Sequence, residues 1–373
     1  MTERTGQIPL ARPELGPREE ELVLEVLRSG RLSLGPMLER FERQLAAWLG
    51  VEEVVAVASG TAALHLGVRE LGWSRGDEVL TSPFSFVASA NCLLYEGVRP
   101  VFCDVEAETL NIDPAAVAAA VGERTAGVLP VHIFGYPAAL PEIEALAERQ
   151  GLGILEDACE ALGATGSEGE RVGTRGNLAT FAFYANKQLV TGEGGAIVAP
   201  GPAAAARLRS ARNQAREPDM GWLDHGSLGF NYRLSDVAAA LGVGQLEKLD
   251  AMLARRARVA GLYAEGLAGI DGVRVPIAEH GEERRSWFVY VVRLPGGADR
   301  DGTIRRLGER GVAAKPYLPC IHLFPHLRAL GYRQGQFPVA EAASLRSLAL
   351  PFFPSMTDSQ VEHVCQVLAA AIR

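Results

Sequence analysis

Short apolar runs alternate with helical stretches from about residue 50 to residue 200, and this alternation restricts the possible folds more than any other feature. The runs predict strands at 54–58, 78–81, 101–104, 127–132, 153–156, 178–182 and 196–198, and helices at 61–71, 87–95, 114–121 and 140–150 lie between the first five. Continuous apolar strands separated by helices form a largely parallel sheet that is covered on both faces. Ligands bind at the carboxyl ends of such strands, so residues that directly follow a strand are the first candidates for a site.

The remainder of the chain predicts a second, smaller unit. Residues 235 to about 268 form one long or kinked helical region, which begins at the N-cap candidates Ser235 and Asp236. Strands at 273–275 and 287–293 and helices at 300–308 and 358–372 follow. We therefore expect a large sheet domain with an N-terminal helical segment at residues 1–248 and a small C-terminal α+β domain at residues 249–373.

Charge and composition exclude several classes of function. The net charge of −8 opposes a general nucleic-acid binder, which needs clustered positive charge. No apolar run is long enough to span a bilayer, and residues 1–6 lack a signal pattern, so we expect a cytoplasmic protein with no membrane contact. The five cysteines are widely spread and predict neither a disulfide framework nor a metal site.

Lys187 stands out because the chain holds only three lysines, Lys187, Lys248 and Lys315, among 37 basic residues. Arginine stays protonated in proteins, whereas lysine can lose its proton and form a Schiff base. Lys187 follows the strand at 178–182 and two aromatic residues, and it precedes the glycine-rich segment 191–195. A codon bias that replaces lysine by arginine explains the scarcity equally well, so the other segments must decide.

The segment Ala58-Ser59-Gly60-Thr61 joins the end of a strand to the start of a helix. Free N–H groups at a helix start, aided by the helix dipole, stabilise an anion by about 0.3–1 kcal/mol, and by ~2 kcal/mol when the site is partly buried. By itself this segment fits an ordinary Ser/Thr helix cap better than an anion site.

Asp157 directly follows the strand at 153–156. A carboxylate about 4 Å from a cation contributes roughly 4 kcal/mol at an effective dielectric constant near 20, which would keep a ring nitrogen protonated. The alternative is that Asp157 caps a helix start, and the two interpretations are about even.

Asn231 and Arg233 precede the helix that begins at Ser235, where they fit either a loop or side chains that reach an anion. An anion site, a carboxylate for a ring nitrogen and an amine for a Schiff base are together the requirements of pyridoxal 5'-phosphate (PLP). The order of these segments and their positions after strands predict this cofactor.

The segments closely resemble the DegT/DnrJ/EryC1/StrS family of PLP-dependent sugar aminotransferases. The resemblance covers nearly the whole chain: residues 20–35, 41–42, 59–64, 81–88, 131–135, 156–159, 192–195 and 229–233, with Tyr317, Pro319, His322 and residues 350–351. It implies an aspartate-aminotransferase-like α/β fold (PLP fold type I), with a large mostly parallel sheet domain and a smaller C-terminal domain. It also implies a homodimer whose active sites lie at the subunit interface.

Position by position, the resemblance implies that Lys187 is the lysine bonded to PLP and that Asp157 is the partner of the pyridine nitrogen. Gly60 and Thr61 are expected to bind the phosphate through their backbone N–H groups. Phe86 is expected to stack on the cofactor ring.

Further positions are implied in the same way. Glu160 lies where many relatives have Gln near the ring hydroxyl, and Asn231 is expected to reach the phosphate in the neighbouring subunit. Arg233, Tyr317 and His322 are the candidates for binding substrate, with Arg233 the candidate for a glutamate carboxylate.

Two positions depart from the family pattern. Ala182 replaces a Ser whose hydroxyl contacts the phosphate in many relatives, which places more of the phosphate binding on Thr61, Asn231 and backbone groups. Glu160 in place of Gln adds either a negative charge near the ring or a protonated carboxyl. Neither change implies a loss of activity.

The resemblance implies amino transfer from glutamate to a nucleotide-linked keto-sugar, with a 4-keto-6-deoxyhexose as the expected acceptor. A PLP-dependent sugar dehydratase is an alternative, but similar dehydratases have His at the position of Lys187. A cysteine desulfurase would need a mobile nucleophilic cysteine, for which Cys320 is the only candidate. A regulatory or sensor protein that binds PLP without turnover is the alternative from a different functional class.

Overall fold

The computed structural model describes residues 7–216 and 224–372. Its α-helices are α1 Pro17–Ser29, α2 Pro36–Leu49, α3 Gly60–Glu70, α4 Ala88–Tyr95, α5 Pro114–Ala120, α6 Leu140–Gln150, α7 Pro202–Arg212, α8 Asp236–Leu246, α9 Leu249–Leu267, α10 Arg300–Glu309, α11 Pro325–Arg328, α12 Pro338–Arg346 and α13 Asp358–Ile372. Its strands are β1 Glu53–Val57, β2 Glu78–Thr81, β3 Arg99–Phe102, β4 Thr125–Leu129, β5 Gly153–Asp157, β6 Leu178–Ala182, β7 Gly195–Ala199, β8 Glu279–His280, β9 Glu283–Arg284, β10 Tyr290–Arg293, β11 Lys315–Pro316 and β12 Ser347–Leu350.

Seven strands form the large sheet, in the order β1-β7-β6-β5-β4-β2-β3. Strand β7 pairs antiparallel with both of its neighbours, and the remaining pairs are parallel. The predicted mostly parallel sheet is therefore confirmed. Because β7 runs against the other strands, its first residue, Gly195, lies at the same edge as the carboxyl ends of β1 and β6.

Side chains of the large sheet alternate between hydrophobic cores on its two faces, as β1 illustrates. In β1, Val55 and Val57 pack into the core that contains α3, α4 and α7, whereas Val54 and Ala56 pack into the core that contains α1, α2 and α8. This alternation is the period of two that strand geometry imposes. Both faces are covered, which explains why most of the strand residues are apolar.

The C-terminal part of the chain has a separate core around the three-stranded sheet β10-β12-β11. Tyr263 of α9 and Tyr290 of β10 stack there at 4.7 Å between ring centroids. The N-terminal segment also reaches this unit, because Ile8 pairs with Val312 and the carbonyl of Leu10 accepts a hydrogen bond from Phe352. The boundary at residue 248 stays a prediction. Residues 8–10 nevertheless belong by contact to the C-terminal unit.

Local signals in the sequence set several helix boundaries. The hydroxyl of Ser235 accepts a hydrogen bond from Ala238 N–H at 3.2 Å, so Ser235 is the predicted N-cap of α8. Asp236 has another role: its carboxylate accepts the N–H of Leu38 at 2.8 Å in the first turn of α2. The predicted helical region at 235–268 is two helices that break between Leu246 and Leu249.

Two predicted strands differ from the structure. The strand predicted at 273–275 is a single bridge between Arg274 and Arg293. The strand predicted at 287–293 begins only at Tyr290, because Trp287 has a φ of 49°, which extended strands do not adopt. Apolar composition alone does not reveal this change of backbone direction.

The position of Gly195 requires glycine because β7 passes directly over the start of α3. A Cβ atom on Gly195 would lie 2.6 Å from the carbonyl carbon and oxygen of Ser59. These are backbone atoms that cannot rotate away, so any larger residue forces β7 and α3 apart. The close packing of β7 against the start of α3 therefore depends on glycine at position 195.

We expect Gly195→Ala to reduce the free energy of unfolding by about 1–3 kcal/mol, the usual cost of overpacking. Gly261 is a matched control, since it lies exposed in α9 with no atom within 4 Å of a built Cβ. Gly261→Ala should raise the free energy of unfolding by about 0.5–1 kcal/mol through its higher helix propensity. Chemical denaturation of both variants measures the difference, and equal effects would contradict the contact argument.

Candidate active site

A cavity of about 460 Å³ opens at the edge where the strands of the large sheet present their carboxyl ends. The predicted site residues that line it are Gly60, Thr61, Phe86, Asp157, Glu160, Lys187 and Tyr317. They come from five separate stretches of the chain, and the sheet helps to bring them together because parallel strands end at one edge. The sequence predictions thus meet in one cavity.

Asp157 is the last residue of β5 and is 5% exposed. Its Oδ2 accepts a hydrogen bond from Ser89 Oγ at 2.7 Å, and its Oδ1 accepts one from the N–H of Cys159 at 3.1 Å. Residues 158–163 form turns, so no helix begins there for Asp157 to cap. The two donors hold the carboxylate in one orientation at the cavity wall, as a partner for a ring nitrogen requires.

The start of α3 forms a second wall of the cavity. Ser59 is its N-cap, and its side chain accepts the N–H of Ala62 at 3.1 Å. The N–H groups of Gly60 and Thr61 lie in the first turn, so the helix has no preceding carbonyl to accept them. A Cβ on Gly60 would lie 2.7 Å from the Cβ of Ala182. Glycine therefore allows the helix start to sit against the end of β6, where its N–H groups can bind an anion.

Lys187 follows β6 and lies in the cavity with its side chain 12% exposed. Its Nζ is 3.7 Å from Glu160 Oε1 and 3.9 Å from the centroid of the Phe288 ring. The other two lysines have different surroundings: Lys248 pairs with Glu19 at 2.8 Å, and Lys315 is exposed in β11. Lys187 is thus the lysine of this chain that lines the cavity, which the scarcity of lysine alone did not establish.

Glu160 is buried beside Lys187. Its Oε2 accepts the N–H of Phe134 at 2.9 Å, and its Oε1 faces Lys187 Nζ. Burial raises the pKa of Glu160 above its ordinary value; the positive charge of Lys187 opposes this shift, and the negative charge of Asp157 adds to it. The protonated form of Glu160 is therefore favoured more than in an exposed glutamate.

Three predicted residues lie outside the cavity of this chain. Asn231 is exposed, and Arg233 donates to Asn213 Oδ1 at 3.0 Å, on a segment that runs beside β1. His322 is fully buried, with its Nε2 3.2 Å from Glu341 Oε1 and its ring 4.8 Å from that of Phe337. Burial lowers the pKa of His322, and the residue does not line the cavity of this chain.

Two residues that the sequence did not single out shape the site. Phe288 lines the cavity beside the amine of Lys187, and the buried Ser89 orients Asp157 from behind the cavity lining. Both come from segments far from their partners along the chain, and neither carries a local motif. The loop at 212–227 is a further candidate for substrate contacts, and its residues 217–223 lie outside the described residues.

Cys320 does not fit a desulfurase. It is 4% exposed within the core on the α3 face of the large sheet, and burial raises the pKa of its thiol to about 12. A nucleophilic cysteine needs an accessible thiolate at neutral pH.

The family model for the DegT/DnrJ/EryC1/StrS aminotransferases matches residues 13–369. The chain belongs to this family. It is 35% identical to the spore coat polysaccharide biosynthesis protein SpsC of Bacillus subtilis, over 100% of this chain and 99% of that protein. It is 36% identical to the GDP-perosamine synthase of Caulobacter vibrioides, over 97% of each. Its structure matches that of DesV from S. venezuelae with a TM-score of 0.93 at 34% identity, over 99% of this chain and 100% of that one.

Membership confirms the expected fold class, and the protein is a PLP-dependent sugar aminotransferase. The residues present fit this cofactor on structural grounds alone. The cavity offers an oriented carboxylate at Asp157, an amine at Lys187 and a helix start at Gly60 whose N–H groups are free for a phosphate. The roles of the individual residues are proposals that the next subsection develops.

In the described chain, no helix has the length and apolar character needed to cross a membrane. The same residues contain no group of three or more His, Cys, Asp or Glu side chains arranged to hold a metal ion. Location in the cytoplasm stays a prediction.

The raised pKa of Glu160 predicts a pH-dependent stability. A carboxyl group whose pKa is higher in the folded than in the unfolded protein binds its proton more tightly when folded. Its contribution to stability is full below its ordinary pKa of 4.5 and is lost as the pH rises through the folded value. Ionisation of buried Glu160 at higher pH therefore lowers the free energy of unfolding of the wild type.

We therefore expect Glu160→Gln to stabilise the cofactor-free protein relative to the wild type, by an amount that grows as the pH rises above 4.5. Thermal unfolding at a series of pH values measures the Tm difference. Glu168 is the control, since its side chain is 65% exposed, and Glu168→Gln should give a difference that is nearly constant with pH. A Tm difference for Glu160→Gln that shrinks as the pH rises would show that burial does not dominate at this site.

Proposed function

We propose that this enzyme transfers the amino group of glutamate to a nucleotide-linked keto-sugar, with a 4-keto-6-deoxyhexose as the acceptor. The observation that carries the proposal is the cavity that joins Lys187, Asp157 and the start of α3. The family supports a sugar acceptor, and one relative of 36% identity is a GDP-perosamine synthase by name. The choice of glutamate and of the sugar is the part that needs testing.

When bound, PLP supplies an electrophilic aldehyde and an electron-withdrawing ring that stabilises negative charge on an adjacent carbon. Asp157 would hold a proton on the ring nitrogen, and the N–H groups of Gly60 and Thr61 would hold the phosphate. Phe86, at the cavity mouth, would stack on the ring, and Glu160 would contact the ring hydroxyl. Together these residues would hold the cofactor in the cavity.

Lys187 is the residue that moves protons in this proposal. Its Nζ would take the proton from the α-carbon of glutamate in the first half-reaction, which releases 2-oxoglutarate. In the second half-reaction the same Nζ would deliver a proton to the sugar carbon that receives the amino group. Because 2-oxoglutarate leaves before the sugar binds, the kinetics should be ping-pong. The low exposure of Lys187 keeps this proton away from bulk water.

We also propose that two copies of the chain complete each site. Phe86 is 61% exposed and Tyr184 is 51% exposed, although both line the cavity, so its mouth presents aromatic surface to solvent in a single chain. Asn231 and Arg233 lie outside their own cavity, where they are free to reach that of a partner. A homodimer with shared sites accounts for both observations.

Tyr317 is the substrate-binding candidate that this chain brings into its own cavity. Burial raises the pKa of its hydroxyl, so the group stays protonated and can donate a hydrogen bond to a substrate oxygen. Arg233 would bind a substrate carboxylate only across a subunit interface.

Two alternatives make different predictions. The sugar dehydratase is disfavoured because a lysine, not a histidine, lies in the cavity at position 187. A sensor that binds PLP without turnover would show a cofactor spectrum that glutamate does not change. Absorbance of the purified holoenzyme with glutamate, followed by a panel of nucleotide keto-sugars, separates these cases and identifies the acceptor.

We expect Lys187→Ala to reduce turnover by about 10²–10⁴-fold or more, because the general base and acid is removed. Steady-state transamination assays measure this loss, and borohydride reduction with peptide mapping locates the covalent bond to PLP in the wild type. Lys315→Ala, at an exposed lysine, is the control and should keep wild-type turnover. Near-normal turnover of glutamate by Lys187→Ala would refute the assignment.

Shared sites predict complementation between two inactive variants. In a mixed dimer of Lys187→Ala and Asn231→Ala subunits, one site has both native residues and the other has neither. Statistical reassortment therefore restores at most about one quarter of wild-type activity, since half of the dimers are mixed and each has one native site. Co-expression with two different affinity tags isolates the mixed dimer. No recovery in that dimer, with each parent inactive and correctly folded, would place Asn231 in its own subunit's site or in none.

A further inference from the structure

Arg256 is a buried cation close to Lys187 that has no role in the reaction described above. It lies in α9, is 4% exposed, and forms no ion pair with any carboxylate of residues 7–216 or 224–372. Its Nε atom has no hydrogen-bond partner. A buried guanidinium without a counter-ion is costly, so this residue calls for an explanation beyond packing.

The guanidinium of Arg256 donates to three backbone carbonyls. Its Nη2 donates to Lys187 O at 3.2 Å, and its Nη1 donates to Trp287 O at 3.2 Å and to Phe288 O at 3.3 Å. The planar guanidinium presents its N–H groups in a fixed arrangement, so the three carbonyls are held at set positions relative to one another. One side chain thus ties the main chain at Lys187 to the main chain at Phe288.

These two residues determine the surroundings of the reactive amine. The Phe288 ring is 3.9 Å from Lys187 Nζ, and Glu160 Oε1 is 3.7 Å from it on another side. A second side chain joins the same two segments: Gln188 Nε2 donates to the carbonyl of Glu160 and, at 2.8 Å, to Ser286 Oγ. The segments around Lys187 and Phe288 are therefore tied together by Gln188 and, from α9, by Arg256.

The charge of Arg256 is retained in this environment. Burial lowers its pKa to about 10, which is still well above neutral pH, so the guanidinium remains protonated and all its donors are present. The aromatic ring of Phe352, 5.6 Å from the guanidinium carbon, adds a favourable contact. An apolar side chain would avoid the cost of burying charge but would leave the three carbonyls unpaired.

We propose that Arg256 is a positioning residue for the reaction at Lys187: by holding the carbonyls of Lys187 and Phe288, it keeps Nζ aligned for proton transfer and for condensation with the cofactor aldehyde, which forms a C=N bond and releases the aldehyde oxygen as water. The inference rests on the proposed function in one respect, that Lys187 is the residue that bonds to PLP. A displacement of about 1 Å at a reacting atom can cost roughly 100-fold in rate, so a modest shift of this main chain is sufficient to matter.

The test separates the rate of bond formation from cofactor affinity. Cofactor-free protein is mixed with PLP, the rate of covalent bond formation is followed by absorbance, and borohydride reduction with peptide mapping confirms the position. We expect Arg256→Ala to slow this step by about 10- to 100-fold. Non-covalent PLP affinity, measured in a Lys187→Ala background with and without Arg256→Ala, should change by less than about threefold.

Arg258 is the matched control on the same helix. Its guanidinium also donates to a backbone carbonyl, Met356 O at 2.8 Å, but it has no contact with Lys187 or Phe288. Arg258→Ala should form the covalent bond at the wild-type rate. Guanidinium ion added at low millimolar concentration should accelerate the step in Arg256→Ala and leave the wild type unchanged, with sodium chloride as the ionic control.

If Arg256→Ala does not fold, Arg256→Lys serves in its place, because it keeps the charge but its single ammonium does not reproduce the arrangement of the guanidinium donors. We expect it to slow bond formation by at least about fivefold. A wild-type rate in whichever variant folds overturns the inference. So does a loss of non-covalent PLP affinity as large as the loss of rate, which would indicate a general structural role. If the wild type itself forms no bond at Lys187, the proposed function fails and not the role of Arg256 alone.

Discussion

The close contact between the first turn of α3 and the ends of β6 and β7 determines where the chemistry of this protein takes place. Gly60 lies against Ala182, and Gly195 lies against the backbone of Ser59, with no room for a Cβ at either glycine. The helix start can therefore approach the segment that carries Lys187. Because β7 is antiparallel to its neighbours, it contributes its first residue to the same edge of the sheet. An anion site and an amine consequently share one cavity, and a side chain at either glycine would separate them.

That cavity concentrates three ionisable groups away from water. At 3.7 Å and an effective dielectric constant near 20, Lys187 and Glu160 attract each other by about 4 kcal/mol, and burial of both groups opposes this gain. Asp157 is held differently, by the hydroxyl of Ser89 and a backbone N–H. The two carboxyl groups thus have distinct surroundings, and their roles follow: Asp157 is fixed in direction, whereas Glu160 is the group whose proton is more tightly bound than usual. Different environments for neighbouring acids are typical of sites that move protons.

The sequence predicted the residues whose positions depend on local structure, and it did not predict those that depend on long-range packing. Asp157 and Lys187 follow strands of a parallel sheet, so the strand pattern alone places them at the reactive edge. Phe288 reaches the same amine from a segment about one hundred residues later along the chain, and no local motif marks it. His322 is a different case: the family resemblance made it a candidate for substrate binding, but it is buried in a 3-10 helix at Ile321–Leu323, beside Glu341 and Phe337 and outside the cavity of this chain. The burial of such a residue depends on elements that its neighbours in sequence do not reveal.

The contacts of the buried cations explain why arginine and lysine have different roles in this chain. Arg256 and Arg285 each donate to backbone carbonyls, and Arg212 donates to Glu42 and to the carbonyl of Ala56. A guanidinium suits this work because it does not release its proton and its donors keep a fixed geometry. Among residues 7–216 and 224–372, the amine of Lys187 has no hydrogen-bond partner: it lies 3.7 Å from Glu160 Oε1 and 3.9 Å from the centroid of the Phe288 ring. A group held so loosely is free to bond to another molecule and to carry a proton, which arginine at that position would not do. The surroundings of Lys187 therefore explain why this position holds lysine, whatever the reason that lysine is scarce elsewhere in the chain.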